Sequence, residues 1–269
     1  YPCRMESTLP SSWYLRDDVY ALEQEHIFFK EWVCVGRDEE LAKAGSHRVV
    51  DVLGQSILLV RNAEGALRGF YNVCRHRGNK LVWNDFPNEE VKGTCRQFTC
   101  KYHGWRYDLK GDLTFVQQEG EFFDLDSAQY GLKPVQCDVW NGFIFINFDP
   151  EPRWTLREFL GPMITALDDY PFELMTERYE FEAHNNSNWK IFADAFQEYY
   201  HVPSLHSQQV PSAVRQPNAT FECGHFQIDG PHRLVSETHA EGRSAVAEPP
   251  DALHADPRLP RCARSGRDH

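Results

Sequence analysis

Hydrophobic and polar positions change period four times along this chain. After Pro10-Ser11-Ser12-Trp13, the pair Asp17-Asp18 opens a stretch in which Val19, Leu22, Ile27 and Phe28 recur at near-helical spacing. That spacing predicts a helix over about 17–31. From Ser46 the texture turns β-rich: Val49-Val50-Asp51-Val52, then Ser56 to Val60, then Leu67 to Val73, separated by Gly54, Asn62 and Gly65. Short runs of this kind predict a small antiparallel β domain. Further strands are expected at Thr114-Phe115-Val116 and across Trp140 to Phe148, with the domain closing near Pro150. Thr155 followed by Glu158 reads as a capping box opening a helix to about Tyr170. Arg178 to Ala183 alternates as a strand, and Ser187 can cap a helix from Asn188 to about His201, stopped by Pro203. A second domain therefore begins after Pro150.

Composition narrows the class. The 269 residues are 41% hydrophobic and 13% aromatic, enough for one large or two moderate cores. Lys plus Arg number 28 against 40 Asp plus Glu, a formal charge of -12, which speaks against nucleic acid or an anionic membrane as the partner. No apolar run reaches the about 20 residues needed to span a bilayer, and no signal-peptide core follows Tyr1-Pro2-Cys3-Arg4. The expected location is cytoplasmic. Eight cysteines are too sparse for a disulfide scaffold. No aromatic residue follows Phe226, and the stretch from His239 to His269 is rich in Ala, Arg, Pro, Asp and Gly.

Candidate chemistry begins with Cys74-Arg75-His76 and Cys100-Lys101-Tyr102-His103, two loops that each offer one thiolate and one imidazole. Such a set can close a tetrahedral zinc site or hold a 2Fe-2S cluster with two Cys on one iron and two His on the other. Spacing leaves both open. Gly78 and Gly104 let the backbone turn tightly and offer amide N–H groups to a cluster.

Cys74-Arg75-His76-Arg77-Gly78 and Cys100-Lys101-Tyr102-His103-Gly104-Trp105, with Asn72-Val73 before and Tyr107-Asp108 after, resemble the two cluster-binding boxes of Rieske-type non-haem iron oxygenases, specifically their alpha (large) subunits. The resemblance covers roughly residues 8–150. It implies Cys74 and Cys100 on one iron and His76 and His103 on the other. One departure is the spacer: 23 residues separate His76 from Cys100, several more than is usual in the family. The excess falls in the polar Asn84 to Gly93 stretch, where a longer loop costs little closure entropy. Cys95, within this spacer, reads as a free, partly buried thiol rather than a ligand.

Downstream, Asp194, Glu198 and His201 fall within about 60° of one another on a helical wheel, opposite Phe192, Phe196 and Tyr199. His206 follows His201 after Pro203, so the chain can bring a second imidazole back toward the first. Two His near a carboxylate form most of a facial triad that leaves open positions on Fe(II). The run from Asp194 to His206, introduced by Asn188-Trp189-Lys190, resembles the mononuclear iron motif of the same family. By that resemblance His201 and His206 are iron ligands, Glu198 is the bridging carboxylate between cluster and iron, and Asp194 gives outer-shell support or a proton. No third ligand is assignable: the family supplies an Asp far beyond the second His, and 63 residues follow His206.

The expected fold class is α+β, an antiparallel β Rieske domain followed by the start of an α+β helix-grip-like (START-type) catalytic domain, incomplete in this chain. Expected divisions are an N-terminal segment and helix over 1–40, the Rieske 2Fe-2S domain over 41–150, a partial catalytic domain over 151–238, and a disordered or out-of-frame tail over 239–269. The resemblance implies an oxidoreductase that carries a 2Fe-2S cluster and mononuclear Fe(II). Electrons from NAD(P)H reach it through a reductase, with or without a ferredoxin, and it activates O2 to hydroxylate or dihydroxylate an organic, aromatic substrate. A homotrimer, with or without a beta subunit, is implied as well. Two rivals are an electron-transfer-only Rieske protein and a zinc-binding interaction module.

Overall fold

The computed structural model describes residues 9–85, 90–177, 179, 181, 183–197, 201–208 and 225–236. One compact unit comprises residues 16–159 and 170–178; the described residues of 1–15, 160–169 and 179–269 belong to a second.

The first unit is built on a seven-stranded antiparallel sheet. Its strands are β1 (Val33–Arg37), β2 (Ser46–Val52), β3 (Gln55–Arg61), β4 (Leu67–Tyr71), β5 (Lys92–Thr94), β9 (Pro134–Trp140) and β10 (Phe143–Asn147), in the order β1-β10-β9-β4-β3-β2-β5. A smaller sheet holds β6 (Phe98–Thr99), β7 (Arg106–Tyr107) and β8 (Leu113–Phe115). The run Ile57-Leu58-Leu59-Val60 is apolar throughout because β3 is buried on both faces. Leu58 and Val60 pack with Phe70, Phe98, Trp105 and Tyr107 in one core, while Ile57 and Leu59 join Leu41, Ile144 and Ile146 in another. The first core joins the small sheet to the large one, and the cysteine loops grow out of it.

The strand expected across Trp140 to Phe148 forms over Phe143–Asn147 as β10, while Trp140 ends β9, its partner in a hairpin. β9 ends at Trp140, Asn141 and Gly142 turn with φ of 47° and 81°, and β10 returns in register with Phe143 opposite Trp140. Asn-Gly is the residue pair that favours such a left-handed two-residue turn. The N-terminal helix is also shorter than expected. After α1 (Ser12–Leu15), α2 runs over Asp17–Glu23 and loosens into a π turn at Gln24–Phe28.

Beyond Pro150 the capping box forms: Thr155 N–H donates to Glu158 Oε2 at 2.9 Å, and Glu158 N–H donates to Thr155 Oγ1 at 3.3 Å. The helix it opens, α3 (Leu156–Thr165), stops short of Tyr170 and is broken at Gly161, whose φ of 63° is left-handed, just before Pro162. The strand expected over Arg178 to Ala183 is not seen at its described residues 179, 181 and 183, and Tyr179 and Phe181 are exposed. In the second unit, α4 spans Trp189–Ala195 and α5 spans Val202–Leu205. A hairpin of β11 (His225–Asp229) and β12 (His232–Ser236) follows. Residues 239–269 lie outside the described residues. Among the described residues no helix is long and apolar enough to cross a membrane.

Candidate cluster and iron sites

The two cysteine loops close in the same way. In the first, which follows β4, Cys74 N–H donates to Asn79 O at 2.8 Å and Gly78 N–H to Cys74 O at 3.1 Å. In the second, which joins β6 to β7, Cys100 N–H donates to Trp105 O at 2.8 Å and Gly104 N–H to Cys100 O at 2.9 Å. Gly78 and Gly104 occupy matching left-handed positions, with φ of 74° and 72°. A side chain would be strained at either glycine.

The four candidate donors sort into two like pairs. Cys74 and Cys100 are buried in the same core. His76 and His103 lie half-buried, their rings 4.7 Å apart edge to face. Sulfurs inside and imidazoles outside is the division a 2Fe-2S cluster with mixed ligands demands, whereas a tetrahedral zinc draws all four donors to one point. The donor set therefore fits the cluster.

Around the pairs stand groups that orient them. The Trp105 ring lies flat on His76, 4.8 Å away and tilted by only 8°, and Phe122 meets the same imidazole edge-on at 6.0 Å. Tyr102 packs on His103 at 3.9 Å. The buried Tyr107 hydroxyl lies 3.3 Å from Cys74 Sγ and accepts from Arg75 N–H at 3.0 Å, so its own proton is free to point at the sulfur. Asn79 Nδ2 donates toward Cys100 Sγ at 3.9 Å. Asn72, fully buried, accepts from Leu81 and Val82 N–H and donates to Val82 O, pinning the chain after the first loop. Burial, the nearby His103 and the Arg77 guanidinium hold His76 below the usual imidazole range, which keeps a lone pair available to iron. Burial pushes the Cys74 thiol up, against the Tyr107 hydrogen bond, so ligation requires a cation that displaces the proton. Tyr107 and Asn72 belong to the matched stretches, but their partners are invisible without the fold.

The long spacer becomes structure. Its β5 pairs with the edge of β2, Gly93 opposite His47. Lys101, next to Cys100, reaches Glu90 Oε2 at 2.6 Å and Asp85 Oδ2 at 3.4 Å, with its ammonium 4.5 Å from the Trp83 ring. Cys95 is free, and burial pushes its thiol up to about 11.

In the second unit the helix expected from Asn188 to His201 forms over Trp189–Ala195, and a separate short helix follows at Val202–Leu205. Asn188, not Ser187, caps α4, its Oδ1 accepting from Lys190 N–H at 3.0 Å. α4 ends at Ala195, and Glu198 lies outside the described residues. The wheel that put Asp194 and His201 on one stripe therefore does not continue unbroken. Instead, His201 stands just before α5 and His206 just after it, with Pro203 in its first turn, where a missing N–H costs nothing. The two imidazoles end 5.4 Å apart, so they fit as two ligands of one iron. Asp194 Oδ2 accepts from the Tyr14 hydroxyl at 3.1 Å. Phe192 and Phe196 lie 4.8 Å apart and are exposed.

Comparison with known proteins fits this geometry. Residues 31–130 match the Rieske [2Fe-2S] domain, and residues 172–265 match the catalytic domain of the ring hydroxylating alpha subunit. The carnitine monooxygenase oxygenase subunit of Escherichia coli (strain K12) is 32% identical over 200 residues, covering 74% of this chain and 52% of that protein. The glycine betaine monooxygenase oxygenase subunit of Chromohalobacter salexigens is 34% identical over 214 residues, covering 78% of this chain and 45% of its own. The crystal structure of a quaternary ammonium Rieske monooxygenase in complex with an inhibitor superposes with a TM-score of 0.68 at 28% identity, covering 76% of this chain and 55% of that one. The chain spans about half the length of these curated relatives. With its paired cysteines and paired histidines in one domain and the catalytic-domain match in the next, the chain belongs to the Rieske-type non-haem iron oxygenase alpha subunits.

Proposed function

We propose that this chain is the alpha subunit of a Rieske monooxygenase acting on a quaternary ammonium compound. Cys74, Cys100, His76 and His103 would hold the 2Fe-2S cluster, and His201 and His206 the mononuclear iron. When bound, the cluster relays single electrons and the iron activates dioxygen. The chain's residues do the rest: Tyr107 and Asn79 aim hydrogen atoms at the two ligand sulfurs, and Trp105 and Phe122 fix the His76 plane. Glu198 is assigned as the bridging carboxylate and Asp194 as its outer support. The working divisions are 1–40, 41–150, 151–238 and 239–269. Electrons would come from NAD(P)H through a reductase, with or without a ferredoxin, to a homotrimer.

The observation that carries this reading is the like-with-like grouping, the two thiols buried in one core and the two imidazoles 4.7 Å apart. The substrate class rests on the relatives, which are named for carnitine and glycine betaine. The description of the matched family as ring hydroxylating supports an aromatic substrate as the second reading. Purified, iron-loaded protein is expected to carry three irons and two acid-labile sulfides per chain, and to give a rhombic signal when reduced. With its reductase it would turn over a trimethylammonium compound and not an aromatic hydrocarbon; the reverse preference establishes the second reading. Two irons with no turnover would leave an electron carrier, and a colourless zinc protein would sink both.

A further inference from the structure

Tyr14 and the motif helix meet in the second unit although 180 positions separate Tyr14 from Asp194. The half-buried Tyr14, in α1, donates its hydroxyl proton to Asp194 Oδ2 at 3.1 Å. One turn earlier on α4, the Lys190 ammonium sits 5.4 Å from the Tyr14 ring and 5.5 Å from the Trp189 ring, with only 8% of the residue exposed. An ammonium this buried is stabilised by ring faces, and Lys190 and Asp194 share a helix face because they are four residues apart. One aromatic side chain thus grips α4 at two successive turns. Burial and the Asp194 carboxylate both push the Tyr14 phenol up, so the proton stays on the phenol oxygen.

We propose that Tyr14 is a positioning residue for the iron-binding segment: its hydroxyl clamps Asp194, and through Asp194 it steadies α4, the stem from which Glu198, His201 and His206 follow. Asp194 then serves as the anchor of the N-terminal arm, its Oδ2 accepting from Tyr14. α4 is only seven residues long, and its Phe192 and Phe196 are exposed. An isolated helix of that length is not stable in water. The effect on iron rests on the proposed role of His201 and His206; the clamp itself does not.

Amide exchange over residues 189–195 in the full chain tests the clamp. Tyr14→Phe is expected to speed it by about three- to tenfold, the worth of one hydrogen bond. Asp194→Leu should match it, and the double variant should add nothing further. Asp194→Asn, which still offers an oxygen to the phenol, should restore near-normal protection. Loss of Fe(II) to a chelator from the loaded protein should accelerate by a similar factor in Tyr14→Phe, with the 2Fe-2S visible spectrum unchanged. Unchanged exchange in Tyr14→Phe, additive effects in the double variant, or accelerated exchange with unchanged iron retention would each overturn the proposal. A wild-type chain that takes up only two irons instead refutes the reading of the histidine pair, while the exchange data still decide whether the clamp exists.

Discussion

Tyr107 is the residue whose hydroxyl touches the sulfur of Cys74, a ligand in the proposed cluster site, and its effect can be measured. A hydrogen bond to a cluster sulfur stabilises the more electron-rich reduced state. Removing one in Tyr107→Phe, at about 1 kcal/mol, is expected to lower the cluster potential by about 40 mV per electron while leaving the visible spectrum in place. A redox titration in which the variant holds the wild-type midpoint would remove the role. At the cysteines outside the cluster the sign is different. Burial pushes both Cys95 and Cys137 up to about 11, so each is a neutral thiol at pH 8. Alkylation of the native protein at these two positions, followed by mass spectrometry, should be slow at pH 8 and rise about tenfold per pH unit toward 11, because only the thiolate reacts. The two boxes stand out in the sequence because a Cys and a His at short spacing are rare by chance. The groups around them do not, since Tyr107, Asn79 and Asn72 act on partners brought to them by β7 and the loop after the first box.

At the scale of elements, sequence period found the core strands and missed what interrupts them. β2, β3 and β4 lie where the apolar runs predicted, because each buries its pattern on a defined face. The errors fall at turns and breaks. Asn141-Gly142 turns the chain just inside the expected start of β10, Gly161-Pro162 breaks α3, and α4 ends seven residues after its cap. In each case a local backbone choice at one or two residues overrides a longer hydrophobic rhythm. The spacer between the boxes is the opposite case. A loop was expected, yet β5 extends the sheet because Gly45 lets Cys95 come close, with Cys95 N–H donating to Gly45 O at 3.0 Å. A Cβ on Gly45 would lie 2.1 Å from Cys95 O, at a φ of 83°. Gly45→Ala is therefore expected to detach β5 and cost about 1–3 kcal/mol, read as a lower denaturant midpoint with faster amide exchange at residues 92–94. Wild-type protection there would show that β5 is held by other means.

For the whole molecule, the loops that carry the two boxes stand on a broad apolar core. Leu58, Val60, Phe70, Phe98 and Tyr107 pack together with Cys74 and Cys100, and each box ties off its own backbone hydrogen bonds with its glycine. Small zinc domains behave otherwise, since in them metal binding and folding are one event. Here chelation and anaerobic removal of iron should leave the far-UV circular dichroism and the main unfolding transition of the β unit nearly intact, and ferrous iron with sulfide should restore the red-brown colour. Collapse of the sheet signal on removal would contradict this. The matched closure of the two loops has a further consequence, for assembly in time. A scaffold that holds its ligand loops in shape beforehand can be made first and charged later, so synthesis of the chain need not wait for iron. What the cell must deliver is then a cluster to a waiting socket, and a chain that loses its cluster to oxidation is a candidate for repair rather than disposal.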